Sequence, residues 1–364
     1  MPGDFSISLA AYTRGGTDNF LESGRDDLPP QSLRGFAPEY RNIIDYIVRI
    51  THRIWEEKNI GYIYDCYSHN SSVHDDYGLQ LGRDKIVADT IHTINAFPDI
   101  RLVADEIIWA GNEDVGFRTS HRVTIIGHNT GFSKYGPPTN NRVSFWCVAN
   151  CVARENEIYR EHVLYNTGSL VKQLGLDLFE TARQLAAAGV NRRTSTVRGS
   201  EPRRQNGQGK PSVATIPSWT TSFNVEEFEQ AIHQNVWNRR MLGVIPKFYS
   251  ENLEFFGPTD RKLHGVGAYQ SFVLSILAMF PDLALTVDEV YWMGNTVEGF
   301  RVSVRWSATG THRGHGIYGA PTHRPVSIWG LTEHWLFGGQ VREEWMLFNE
   351  MDLLMQLFGQ EAPF

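Results

Sequence analysis

The sequence predicts an α+β protein built as two tandem copies of one domain, each a set of helices followed by long strands. Internal repetition is the first observation behind this reading. Shifted by 183 positions, Phe97–Asn112 (FPDIRLVADEIIWAGN) falls on Phe280–Asn295 (FPDLALTVDEVYWMGN). Gly116-Phe117-Arg118 then meets Gly299-Phe300-Arg301, and Val143-Ser144-Phe145-Trp146 meets Val326-Ser327-Ile328-Trp329. A period this long marks a duplicated domain, not a solenoid of short units. The second observation is periodicity, which changes from helical to strand spacing in the same order in each copy. The third is length: 364 residues exceed what one hydrophobic core usually spans.

Each copy opens with an amphipathic helix. In the first it is expected over about 38–58, where Ile43, Ile44, Ile47, Ile50 and Ile54 recur at helical spacing. Pro38 suits a first helical turn. In the second copy the helix is expected over about 225–241, with Asn224 and Glu227 spaced as a capping box. Short helices lead to the Phe-Pro-Asp turn, and the stretch 69–76 before it reads as a loop. Strands are expected over about 100–110, 114–127, 142–153 and 157–165, with counterparts 183 residues later. Short helices close the copies at about 167–175 and 350–358, with Asn166 and Asn349 placed as N-caps. A further helix is expected at 176–188, before the polar, Gly/Pro/Ser-rich stretch 192–217, which has linker composition. The boundaries follow: an extension at 1–36, a first domain at 37–176, a helix and linker at 177–222, and a second domain at 223–364.

Composition narrows the function classes. Thirty-four basic and 41 acidic residues leave a net charge of −7, and no basic stripe appears, so a nucleic-acid partner is not expected. No apolar run approaches the length of a membrane span. The N-terminus lacks a basic start and apolar core, so a secretion signal is not expected and a cytoplasmic location is. Three cysteines cannot form a disulfide framework. Cys147 and Cys151, four apart on one strand, lie about 13 Å from each other, too far to bridge. No metal-ligand spacing or dinucleotide fingerprint stands out, so neither a metal nor a cofactor is expected.

The motif set resembles the SnoaL-like polyketide cyclase family of the nuclear transport factor 2-like superfamily. The second copy carries Phe280-Pro281-Asp282, Gly319-Ala320-Pro321-Thr322, Gly339, Glu343-Glu344-Trp345 and Gln356-Leu357. The first keeps Phe97-Pro98-Asp99, Gly136-Pro137-Pro138-Thr139, Arg160-Glu161-His162 and Gln173-Leu174-Gly175. The resemblance implies cone-shaped domains, each with helices packed on a curved antiparallel sheet that encloses a cavity. It also implies cofactor-free chemistry on a small organic molecule, or simple binding, since the superfamily includes both. The family's catalytic aspartate falls on Val163 and Met346, and its histidine on Ala149 and Thr332, so neither copy keeps that pair.

Strand alternation supplies other candidates. On the last strand of the first copy Tyr159, Glu161, Val163 and Tyr165 share a face. A glutamate in an apolar cavity gains a raised pKa suited to proton transfer; the alternative is a glutamate held by a backbone group or an arginine. His121 is expected on the cavity face of the second central strand, with His74 and Asp75 at the rim. Glu161 is assigned as general base, with His121 or His74 as proton partner or oxyanion donor and Asp75 beside them. Tyr159, Tyr165, Trp306, Thr332, His334 and Glu344 are the substrate-contacting candidates. The expected function is cofactor-free acid–base catalysis on a polyketide-like or hydroxylated carbonyl compound, by cyclisation, isomerisation, dehydration or hydrolysis. The alternative is a noncatalytic small-molecule binder. The repeated Arg118, Ser120, Arg122 and Arg301, Ser303, Arg305 faces are expected to pair as an intramolecular pseudo-dimer, with a homodimer as a further possibility.

Overall fold

The computed structural model describes residues 3–8, 17–22, 28–189 and 212–359. Most of the linker expected at 192–217 and part of the N-terminal extension lie outside the described residues. The chain divides into two compact units, Met1–Thr181 and Ala182–Phe364.

In the first unit, α1 (Thr17–Glu22) precedes α2 (Ile43–Trp55) and α3 (Ile63–Cys66). Then come β1 (Tyr67–Asp75), β2 (Gly78–Leu81), α4 (Arg83–Ala96) and four long strands. These are β3 (Arg101–Asn112), β4 (Gly116–His128), β5 (Arg142–Arg154) and β6 (Glu157–Tyr165). Helix α5 (Thr167–Gln173) follows, and then α6 (Leu178–Ala187), which begins before the boundary at Thr181 and ends after it. The second unit repeats the plan with α7 (Val225–Ile232), a π-helical segment (His233–Asn238), α8 (Ile245–Phe248), β7 (Tyr249–Gly257) and β8 (Arg261–His264). It continues with α9 (Val266–Met279), β9 (Ala284–Asn295), β10 (Gly299–Thr311), β11 (Pro325–Phe337), β12 (Gln340–Phe348) and α10 (Glu350–Phe358). The strand orders are β2-β1-β6-β5-β4-β3 and β8-β7-β12-β11-β10-β9.

Three local expectations change. Helix α2 starts after Asn42 rather than at Pro38, because Asn42 is extended (φ −155°) and its side chain accepts from Asp45 N at 2.9 Å. Residues 69–76 are not a loop: most of them form β1, which pairs parallel with β6 and makes the sheet mixed rather than antiparallel. Asn166 and Asn349 stand at N-cap positions without making a side-chain cap bond. Asn349 instead accepts from Trp329 N at 3.0 Å, tying its helix to β11.

The repeated motifs hold corresponding joints in each unit. Asp99 accepts from His128 N at 2.8 Å, and Asp282 accepts from Thr311 N at 2.7 Å, so the Phe-Pro-Asp aspartate staples the strand that passes it. Gln173 grips both backbone groups of Ser144, and Gln356 grips those of Ser327, fixing each closing helix to its sheet. In the first unit Val123 and Cys147 pack with Ile94 of α4 and Leu170 of α5, which identifies the helix-covered face of the sheet.

Candidate functional site

Register decides which side chains share that face, since residues directly opposite one another project to the same side. His121 on β4 opposes Ala149 on β5, which opposes Val163 on β6. Thr119 opposes Cys151, which opposes Glu161, which in turn opposes Val73 of β1. Glu161 and His121 therefore stand on one face in adjacent rows. Strand spacing and rise put their Cα atoms about 12 Å apart, with the small Ala149 between the rows.

Glu161 keeps partial exposure, and Tyr67 donates a hydrogen bond to its Oε2 at 2.8 Å. Its other carboxylate oxygen has no hydrogen bond among the described residues. Burial pushes its carboxyl up to about 7; the Tyr67 bond opposes this and the charge of Asp75 adds to it. His121 is 5% exposed, and its Nε2 has no partner among the described residues. Burial lowers its pKa to about 3, so the ring is neutral at physiological pH. A neutral imidazole can donate or accept a hydrogen bond but carries no spare proton, which makes His121 an oxyanion or carbonyl partner rather than an acid.

The remaining candidates divide. Asp75 stands on the Glu161 side of β1, but its oxygens accept from Tyr77 N and Gln80 Nε2, both at 2.7 Å. It acts on Glu161 through its field. Tyr165 shares the face and packs at the edge of the core cluster; burial holds its hydroxyl protonated. His74 opposes His162, one residue away from Glu161, and so projects from the other side of the sheet. It stacks on His162 with centroids 4.5 Å apart and planes 7° apart. Tyr159 is 40% exposed because register shifts at that point in β6: Val152 opposes Arg160 and Ala153 opposes Ile158. Tyr159 is the extra residue of a bulge, which ends the alternation that placed it beside Glu161.

The second domain places its own glutamate in a different setting. Glu344 opposes His334, and both are buried. His334 Nε2 lies 3.2 Å from Glu344, off the line of a good hydrogen bond, while Nδ1 lies 3.0 Å from Glu229 of α7. Tyr269 donates to Glu344 at 3.3 Å and meets the Tyr249 hydroxyl at 2.9 Å. Burial alone would lower the His334 pKa, but Glu229 and Glu344 override it and raise it to about 10. The result is an imidazolium clamped between two carboxylates. Glu229 escaped the sequence reading; its signal was a charged residue on the Val225–Phe228–Ile232 face of an amphipathic helix.

Beside this triad lies a cavity of about 30 Å³, lined by His233, Trp237, Phe280, Trp306, Met346 and Phe348 among others. Thr332 is not open to it as a free hydroxyl, because it accepts from Trp306 Nε1 at 3.0 Å. In the Thr311–His315 turn His312 is fully buried and accepts from Thr322 N at 3.2 Å. Among the described residues no group of three or more His, Cys, Asp or Glu is arranged to hold a metal ion. No helix among them is long and apolar enough to cross a membrane.

Residues 230–357 match the sequence model of the SnoaL-like polyketide cyclase family. No curated protein matches the chain. Similar solved structures include a candidate polyketide cyclase of Acidithiobacillus ferrooxidans, 19% identical, covering 38% of this chain and 96% of that one at a TM-score of 0.32. A candidate SnoaL-like polyketide cyclase of Jannaschia sp. CCS1 is 18% identical, covering 43% and 100% at a TM-score of 0.34. AclR, a candidate hydroxylase of Streptomyces galilaeus, is 28% identical, covering 34% and 87% at a TM-score of 0.30. The second unit thus carries the sequence match to the SnoaL-like polyketide cyclase family, and the first unit repeats its strand order.

Proposed function

We propose that the first domain catalyses proton transfer at a carbon acid, with Glu161 as general base and a carbonyl compound as substrate. The observation that carries this reading is the Glu161 carboxylate, partly open, with one oxygen held by Tyr67 and its pKa raised to about 7. A base titrating near neutral pH combines a useful ionised fraction with strong basicity. Its free oxygen takes the proton. Tyr67 fixes the carboxylate and stays protonated itself, since burial raises its hydroxyl well above the usual range. His121, neutral and without a partner at Nε2, supplies the hydrogen bond to the substrate oxygen. The spacing of the two groups suits a substrate lying between them rather than direct transfer from one to the other. Loss of a proton beside a carbonyl is the shared first step of ring closure, isomerisation and elimination, and the organic skeleton decides which follows.

A direct test is deuterium incorporation from D2O into α-tetralone, followed by NMR. The protein is expected to accelerate exchange over buffer, with a rate that rises through pH 7 and falls roughly 10²-fold in Glu161→Gln. Exchange equal to buffer, or unchanged by the substitution, removes the assignment.

The second reading is small-molecule binding without chemistry, and the second domain favours it there. Its glutamate is locked to an imidazolium, and its cavity is lined mainly by apolar side chains.

A further inference from the structure

The turn between β4 and β5 of the first domain carries an amine that no carboxylate or carbonyl holds. Ser133 and Gly136 exchange backbone hydrogen bonds at 3.0 Å, which makes a tight turn with Lys134 and Tyr135 at its tip. Tyr135 packs against the core cluster of the helix-covered face, and its hydroxyl lies 2.7 Å from that of Tyr77. Lys134 is exposed as a residue, but its side chain turns back, and Nζ lies 3.5 Å from the centre of the Tyr77 ring. Nζ makes no hydrogen bond and no ion pair among the described residues. The second domain has the same turn, closed by Gly316 and Gly319, but Ile317 stands in place of the lysine.

The surroundings decide what this amine can do. Burial of the ammonium lowers its pKa, against the fields of Asp75, Asp76 and Asp89, and Lys85 lowers it further. A reachable amine of weakened basicity is the nucleophilic form of lysine. An anion is a poor occupant here, because it would face three aspartates across one cation. A neutral carbonyl compound meets no such repulsion, and the cation it forms with the amine gains from the same three charges. We propose that Lys134 is an imine-forming amine for a ketone or aldehyde bound at the first domain. The lone pair of neutral Nζ attacks the carbonyl carbon, and one Nζ proton passes to the oxygen. The carbinolamine then loses its hydroxyl group and the second Nζ proton as water, leaving a carbon–nitrogen double bond. Hydrolysis reverses the step, so neither an oxidant nor a reductant is needed. The paired hydroxyls of Tyr77 and Tyr135, at the edge of the ring beneath Nζ, can relay these protons. Asp75 lies on the Glu161 side of β1, two residues from the Val73 that opposes Glu161. Imine formation uses no atom of Glu161, so the inference does not rest on the base assigned above.

The test uses the full chain and acetylacetone, a diketone whose imine with lysine rearranges to an enaminone with a near-ultraviolet band. Labelling is expected at Lys134, located by peptide mass spectrometry as a gain of one diketone less one water. At pH 7 it is expected to run about tenfold faster than at the other six lysines, because a pKa lower by one leaves tenfold more neutral amine. Lys262, whose Nζ lies 4.9 Å from the centre of the Phe256 ring, controls for a lysine that merely covers an aromatic ring. K134R keeps a cation over Tyr77 and is expected to lose the fast phase of the band. The site-resolved rates in the unaltered chain decide the question even if K134R does not fold. They are read without α-tetralone exchange, so failure of the proton-transfer reading and failure of this one are separate results. Labelling spread evenly over the seven lysines, a Lys134 rate no greater than that of Lys262, or a fast phase that survives in K134R would each overturn the inference.

Discussion

At the residue scale, partly exposed Glu161 and buried His334 both have shifted pKa values, with opposite consequences for stability. The folded pKa of Glu161 is raised from 4.5 to about 7, so folding favours its protonated form. Its ionisation costs the folded state stability progressively as pH rises from 4.5 through 7. Glu161→Gln keeps an acceptor for Tyr67 and removes that cost. It is expected to stabilise the first domain by about 1–3 kcal/mol at pH 8, measured by urea denaturation, while turnover falls. A stability gain with a rate loss distinguishes a poised catalytic group from a structural one. His334 runs the other way, raised from 6.5 to about 10. Its stabilising contribution is complete below pH 6.5 and lost as pH rises through 10. Hydrogen exchange of second-domain amides is expected to show loss of protection across that alkaline window. Glu229→Ala, which strips one carboxylate from a buried imidazolium, is expected to cost about 3–5 kcal/mol. A cost below 1 kcal/mol would mean the triad is not held as the structure shows.

At the element scale, the same irregularities recur in both sheets. Register shifts fall at Asp105 and Asp288, and again at Tyr159 and Arg342. These bulges re-aim side chains that simple alternation would place on the cavity face. The hairpins between the first two long strands show equal constraint. Gly111 and Gly294 have φ values of +99° and +100°, and a Cβ on either would come within 2.2 Å of the carbonyl oxygen of Gly116 or Gly299. Gly294→Ala must therefore displace backbone, not a flexible side chain. It is expected to lower the stability of the second domain by about 2–4 kcal/mol, read from its thermal or urea transition. Gly111→Ala is expected to do the same in the first domain. A neutral effect at either site would show that the hairpin relaxes freely.

At the scale of the whole molecule, the duplication has separated two uses of one position. Glu161 and Glu344 occupy equivalent places on the last strand, and each contacts a tyrosine hydroxyl. In the second domain His334 replaces Cys151, and Glu229 faces the imidazole from α7. The pair of variants Glu161→Gln and Glu344→Gln is expected to separate cleanly. The first should lower turnover without loss of stability; the second should destabilise the second domain with little effect on turnover per folded molecule. Steady-state rates and urea transitions on the same samples check this. Equal rate losses would move the chemistry to both domains or to the second.

The duplication, the order of elements and the long strands are legible in the residues alone, because these follow from local pattern: helical and alternating periodicity, turn residues and repeated motifs. Phe-Pro-Asp and Gln-Leu were legible because they repeat: Asp99, Asp282, Gln173 and Gln356 make staples, each across 29 positions, that the fold needs twice. Alternation also put Glu161 and His121 on one face, because no bulge intervenes between those residues and their cross-strand partners. It failed for Tyr159, where an added residue breaks the period, and for His74, whose segment lacked a strand pattern strong enough to reveal its parallel pairing with β6. Only the tertiary structure brought Glu229 to His334, across 105 positions in the chain. Only the tertiary structure, too, laid the Lys134 ammonium on the Tyr77 ring. Those facts depend on which element folds over which, and a pairing of that kind leaves no period in the sequence.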